Sequence, residues 1–254
     1  MTERIFNFCA GPAVLPLPVL EQAQQELLSL PGVGMSVMEI SHRSQTFIDI
    51  LESAKTRLAA LLAVPDDYDI LFLQGGSRLQ FSMVPMNLLR GTTASADYIL
   101  TGSWGKKAIA EAQREGDVRI AWDGKETGYD RLPGADELPL SANAAYVHIT
   151  SNETIEGVQF PVGPDTSGVP LVSDQSSDFL SRALDLKKYA LIYACAQKNA
   201  GPAGLTVVII RKDLLDRADP NLPGYLRYKN HADNDSMWNT PPTFAVYVFD
   251  MVAK

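Results

Sequence analysis

Four short stretches place reactive or ligand-binding residue types just after apolar runs, the positions that open α/β sheets use for ligands at the carboxyl ends of their strands. Lys198 follows Leu191-Ile192-Tyr193-Ala194, sits between Gln197 and Asn199, and precedes Gly201-Pro202-Ala203-Gly204. Lysines are ordinarily exposed, so one held between an apolar strand and a glycine loop is unexpected. Asp174 closes the run Val169-Pro170-Leu171-Val172 and begins the polar stretch Gln175-Ser176-Ser177-Asp178. A carboxylate there binds a ligand or simply caps the next helix. Gly75-Gly76-Ser77-Arg78 follows Ile70-Leu71-Phe72-Leu73 and leads into an apolar helical pattern. Such a turn lets backbone amides at a helix start cradle an anion, although a lone Gly-Gly is more often an ordinary strand-to-helix turn. Trp104, after Leu100-Thr101-Gly102-Ser103, is either core packing or a stacking platform.

One chemistry uses all four. A lysine amine forms an imine with an aldehyde cofactor, a carboxylate keeps a pyridine nitrogen protonated, an indole stacks on the ring, and a glycine turn holds a phosphate. Those are the requirements of pyridoxal 5'-phosphate. With the protonated ring as electron sink, the released lysine can remove the α-proton of a bound amino acid as a general base.

Residues 17 to 30 and 46 to 63 read as helices, the second because Phe47, Ile50, Leu51, Ala54, Leu58, Leu61 and Leu62 recur at three and four positions. Short branched runs follow: Asp69 to Leu73, Tyr98 to Leu100, Val118 to Ala121, Tyr146 to Ile149, Pro170 to Val172, Leu191 to Tyr193 and Leu205 to Ile210. Helical patterns such as Trp104 to Arg114 lie between them. This alternation predicts an α/β fold, three layers with a mainly parallel sheet covered on both faces. Asp123 to Pro139 reads as an exposed excursion, and Pro242 to Lys254 as a helix that begins after prolines and stops without a capping signal.

Composition narrows the functions. The 254 residues carry 46% hydrophobic and 20% charged residues, as ordinary globular chains do. A net charge of −8 argues against a nucleic-acid partner, whose affinity rests on clustered Lys and Arg. Cys9 and Cys195 lack metal or redox spacing and read as two reduced thiols, with no metal expected. The start Met1-Thr2-Glu3-Arg4-Ile5-Phe6-Asn7 has no signal pattern and no apolar stretch approaches a membrane span, so a cytoplasmic location without membrane contact is expected. A nicotinamide oxidoreductase would need a Gly-x-Gly-x-x-Gly turn that Gly75-Gly76 does not supply.

At these residues the sequence resembles the phosphoserine aminotransferase family, dimeric fold-type-I pyridoxal-phosphate enzymes. The stretches that carry the resemblance, in order, are Asn7-Phe8-Cys9-Ala10-Gly11-Pro12-Ala13, Glu39-Ile40-Ser41-His42-Arg43-Ser44, Gln74-Gly75-Gly76, Thr150-Ser151-Asn152-Glu153-Thr154-Ile155-Glu156-Gly157, Ser176-Ser177-Asp178, and Ala196-Gln197-Lys198-Asn199-Ala200-Gly201-Pro202-Ala203-Gly204. The resemblance implies that Lys198 carries the cofactor as a Schiff base, Asp174 pairs with the pyridine nitrogen, Trp104 stacks on the ring and Thr154 lies by the phenolic oxygen. It places Ser77, Arg78 and Gln197 at the cofactor phosphate, completed by Asn239 and Thr240 from the second subunit of a homodimer. Arg43, with His42 beside it, would take the anionic end of the substrate, where a guanidinium suits carboxylate and phosphate alike.

The implied reaction moves an amino group from glutamate to 3-phosphohydroxypyruvate, a phosphorylated three-carbon keto acid, in serine biosynthesis; related members serve pyridoxine biosynthesis. Three positions depart from the family pattern, Leu79, Gln175 and Cys195, each expected to enlarge or polarise a place near the cofactor. Residues 1–254 read as one cofactor-binding large domain with an N-terminal segment, the family's smaller C-terminal domain being absent. The alternative reading is therefore a shortened homologue that binds the cofactor with weak or no turnover, or another fold-type-I pyridoxal-phosphate enzyme.

Overall fold

A computed structural model describes residues 4–254. Its centre is a seven-stranded sheet built from β1 (Tyr68–Leu73), β2 (Ala96–Leu100), β3 (Val118–Asp123), β4 (Tyr146–Thr150), β7 (Leu171–Asp174), β8 (Leu191–Cys195) and β9 (Thr206–Arg211), with a two-stranded hairpin of β5 (Asn152–Glu153) and β6 (Val158–Gln159) beside it. The order across the large sheet is β1-β9-β8-β7-β4-β2-β3. All pairings are parallel except those of β9, which runs antiparallel to both β1 and β8. Every residue of β2, β4, β7 and β8 is buried, as strands covered on both faces must be.

Alternate residues of the strands feed two cores. One face, carrying Phe72, Ile99, Val147, Ile149, Ile192 and Ile209, packs under α1 (Leu17–Glu26), α2 (Gln45–Leu62) and α6 (Thr243–Val252). The other, carrying Leu71, Tyr98, Tyr146, Val172, Tyr193 and Val208, packs under α3 (Gly76–Leu88) and α4 (Ser103–Ala112), with the short α5 (Tyr228–Ala232) contributing Tyr228. The three-layer α/β/α arrangement expected from the sequence is present. Helix α2 starts where Ser44 accepts a hydrogen bond from Phe47 N, and it ends at Ala63 in the left-handed region, φ 48°.

Helix α1 is shorter than the span 17 to 30 expected for it, ending at Glu26. Pro31 disfavours the helical conformation at Leu30, and Gly32 and Gly34 then turn the chain at φ 76° and 80°. The excursion 123–139 is exposed for most of its length but ordered by two 3-10 turns, Gly124–Thr127 and Ala135–Glu137, the second tied down by Arg131 Nη1 and Nη2 donating to Glu137 at 2.6 and 2.8 Å. No helix among the described residues is long and apolar enough to cross a membrane.

Candidate active site

The loops beyond the carboxyl ends of β1, β2, β4, β7 and β8 meet at a cavity of about 270 Å³, lined among others by Gly75, Ser77, Trp104, Thr154, Asp174 and Lys198. Four segments that the sequence left far apart thus share one site. Asp174 is the last residue of β7 and pairs in register with Thr150 on one side and Tyr193 on the other. Lys198 lies three residues beyond β8, in a turn closed by Ala200 N and Gly201 N donating to Ala196 O at 3.0 and 2.8 Å.

The turn between β1 and α3 needs its glycines. Gly75 and Gly76 both adopt left-handed backbone, φ 88° and 63°, and a Cβ at Gly75 would lie 2.6 Å from Leu79 Cδ2. The amide of Gly76 donates to Thr206 Oγ1 at 2.8 Å and that of Ser77 to Cys195 Sγ at 3.0 Å, so the start of α3 is pinned to the ends of β8 and β9. Leu79, expected near the cofactor, instead packs against Gly75 and the α3-side core. Gln175 likewise turns away, lining a separate recess with Leu62 and Asp178. Of the three departures only Cys195 faces the cavity, its sulfur 2.9 Å from Ser77 Oγ.

The electrostatics centre on Asp174. Its Oδ1 accepts from Ser176 N at 2.9 Å and Ser176 Oγ at 2.6 Å, and Ser176 Oγ lies 2.5 Å from Ser77 Oγ. Burial pushes the Asp174 carboxyl up to about 6 against these two bonds, with Asp178 adding repulsion and Lys198 a small attraction. The carboxylate therefore lacks a matching cationic donor, and a protonated pyridine nitrogen is such a donor. Thr150 Oγ1 also lines the cavity, buried and without a hydrogen-bond partner among the described residues. None of the three histidines lines it, and His148 is held neutral by burial, pushed down to about 3. The donor set fits pyridoxal 5'-phosphate: an amine, a buried acid, an indole, and a glycine turn at a helix start with Ser77, Arg78 and Gln197 around it.

Not every expected residue is in the cavity. Asn239 and Thr240 sit at Gln74, with Asn239 Nδ2 donating to Gln74 Oε1 at 3.1 Å and Gln74 Nε2 to Thr240 O at 3.3 Å, outside the lining. Arg43 is exposed, its Nε 3.4 Å from His42 Nε2, and neither residue lines the cavity. Conversely, residue patterns did not single out Gly11, Glu153 or Ser176. A Cβ on Gly11 would collide with Lys198 Cδ and stand 2.9 Å from its Cε, so the N-terminal segment closes over the lysine only because that position has no side chain. Ala13 N donating to Gln197 O at 2.8 Å holds the segment there.

Comparison with known proteins agrees with this geometry. The profile of the aminotransferase class-V family matches residues 5–254. The chain belongs to this family. Within it, this class-V chain is 60% identical over 253 residues to the phosphoserine aminotransferase of Rhodopirellula baltica, covering 99% of the chain and 67% of that protein, and 54% identical over 252 residues to that of Geobacillus kaustophilus, covering 99% and 69%. Its structure matches the phosphoserine aminotransferase of Bacillus circulans subsp. alkalophilus with a TM-score of 0.96 at 49% identity, over 99% of the chain and 70% of that structure. The pyridoxal-phosphate-bound phosphoserine aminotransferase of Trichomonas vaginalis gives 0.92 at 41% identity, over 98% and 70%. The class-V chain thus spans about two thirds of the length of these relatives.

Proposed function

We propose that this chain is a pyridoxal-phosphate-dependent transaminase that takes its amino group from glutamate and passes it to 3-phosphohydroxypyruvate, giving phosphoserine for serine biosynthesis. The observation that carries this reading is the meeting of Lys198, Asp174 and the Gly75-Gly76 helix start in one cavity. When bound, the cofactor supplies an electron sink that makes the substrate α-proton removable. The chain supplies the rest. Lys198 Nζ would anchor the cofactor and, once displaced by substrate, would take the substrate α-proton as general base and hold it for return as general acid. Asp174 keeps the ring nitrogen protonated, Trp104 covers one ring face against water, and Thr154 donates toward the phenolic oxygen. Ser77, Arg78 and Gln197 hold the phosphate, the amides at the start of α3 adding the positive end of the helix dipole. Arg43 with His42 takes the distal anion of either substrate, a role in which one guanidinium serves carboxylate and phosphate.

The assembly proposed is a homodimer. Asn239 and Thr240 lie at the edge of their own chain near Gln74, where a second copy could present them to a neighbouring phosphate site. Ile5, Phe6 and Phe8 are about nine-tenths exposed, 88%, 91% and 92%, an apolar row that a second chain would cover. Light scattering is expected to give twice the 27.7 kDa chain mass; a monomer at micromolar concentration would remove the shared site from the proposal.

The test of turnover uses absorbance. Protein loaded with pyridoxal phosphate is expected to lose its visible band on addition of glutamate and to regain it with 3-phosphohydroxypyruvate. A band that glutamate leaves unchanged would reduce the chain to a cofactor-binding protein, and conversion by alanine or cysteine in preference to phosphoserine would assign it to another substrate class.

A further inference from the structure

The helix that presents Trp104 has no capping side chain at the residue preceding it, Gly102, yet its first amides are all held. The acceptors come from the β5–β6 hairpin. Glu153 Oε2 accepts from Trp104 N at 2.9 Å and its Oε1 from Gly105 N at 2.8 Å, while Glu156 Oε1 accepts from Ser103 N at 2.9 Å and Ser103 Oγ at 2.5 Å. Two carboxylates therefore grip one helix start, where the dipole favours negative charge. Gly102 makes room for them: a Cβ there would lie 2.6 Å from Glu156 Oε2 and 2.7 Å from Glu153 Cδ. Glu153 itself is wholly buried at 0% exposure, so an ionised acid is tolerable there only through the amides it binds. On the indole side, Lys107 from the same helix stands 3.9 Å from the Trp104 ring centroid, so the place of the ring follows the backbone of the first turn.

We infer that Glu153 is a positioning residue for the cofactor ring, acting through the backbone amides of Trp104 and Gly105 to fix the stacking indole, with Glu156 locking the residue before it. This rests on the reading of Trp104 as the ring-stacking residue. The clamp is tuned by protonation. Burial is the main cause that raises the Glu153 carboxyl to about 7, Glu156 and Asp174 adding repulsion while the two amides oppose them. A protonated acid surrenders one of its two acceptors. The grip is complete above about pH 7 and loosens below it.

The experiment compares pyridoxal phosphate affinity in the parent protein, Glu153→Gln, Trp104→Ala and the double variant, by visible absorbance and tryptophan quenching, with melting temperatures alongside. Glu153→Gln keeps the shape but turns an amide donor toward one backbone N–H. We expect it to weaken cofactor binding about 10-fold at pH 8, less at pH 6 where the parent acid is itself protonated, and by under about 2-fold in the Trp104→Ala background. Unchanged affinity, or an equal loss with Trp104 removed, overturns the inference. If Glu153→Gln does not fold, cofactor-free Trp122→Phe/Trp238→Phe protein, in which only Trp104 emits, decides the matter: its emission should titrate near pH 7, and a flat profile overturns the clamp. Failure of the parent to bind cofactor at Lys198 would instead overturn the reading beneath it, and the emission titration would still test the clamp.

Discussion

Lys198→Ala is expected to abolish covalent attachment of pyridoxal 5'-phosphate and to slow glutamate turnover by at least about 10⁴-fold, the upper range for losing a general base, because the same amine also anchors the cofactor. Among the described residues no other lysine and no histidine lines the cavity. The fold should survive, since the local contacts that close this turn run through backbone: Ala200 N and Gly201 N to Ala196 O, and Ala13 N to Gln197 O. Lys198→Arg should fail almost as badly, because a guanidinium does not release its proton near neutrality. Borohydride reduction of the parent followed by peptide mass spectrometry should find the label on Lys198 and nowhere else. A label on another lysine, or an alanine variant that still turns over glutamate, would remove Lys198 from the centre of the mechanism.

How far the sequence disclosed this site follows from what each residue depends on. Lys198, Asp174 and Trp104 were legible because an unusual residue type stood at a strand end, and strand ends converge in this fold class. Glu153 was not, because its partners lie 49 and 48 residues away and only the folded hairpin brings its carboxylate to Trp104 and Gly105. Ser176 read as one member of a polar stretch until the structure joined it to both Asp174 and Ser77. The architecture behaves the same way. The 3.6-residue period of α2 is a local property and its bounds were nearly right, whereas the apolar run of β9 reads identically in either direction, so its antiparallel setting between β1 and β8 is fixed only by the connections around it.

Asp174→Asn is expected to move activity and stability in opposite directions. In the cofactor-free protein the carboxylate is buried and pushed up from 3.8 to about 6. A carboxyl whose pKa is raised by folding contributes its full share to stability below about pH 4 and loses it as pH climbs through about 6, because the unfolded chain ionises first. At pH 7 the ionised form thus costs the fold roughly 3 kcal/mol, taking 1.36 kcal/mol per pH unit of the rise. Asparagine keeps an Oδ1 for the two bonds from Ser176 and carries no charge, so the cofactor-free variant should melt higher than the parent at pH 7 and show no difference near pH 4. With the cofactor the sign reverses. The parent acid then faces a cationic ring nitrogen and gains a charge-assisted bond, while asparagine cannot hold that proton, and kcat should fall by about 10³-fold or more. Thermal melts with and without cofactor at pH 4 and pH 7, set beside turnover with glutamate, test both halves. A variant destabilised without cofactor at pH 7 would mean that the carboxylate is already compensated within the chain, and one that retains full turnover would mean that the ring proton is held elsewhere. The burial that makes this acid a poor contributor to folding is also what withholds water from it, and an acid so placed exerts its full field on the one cation that enters the cavity.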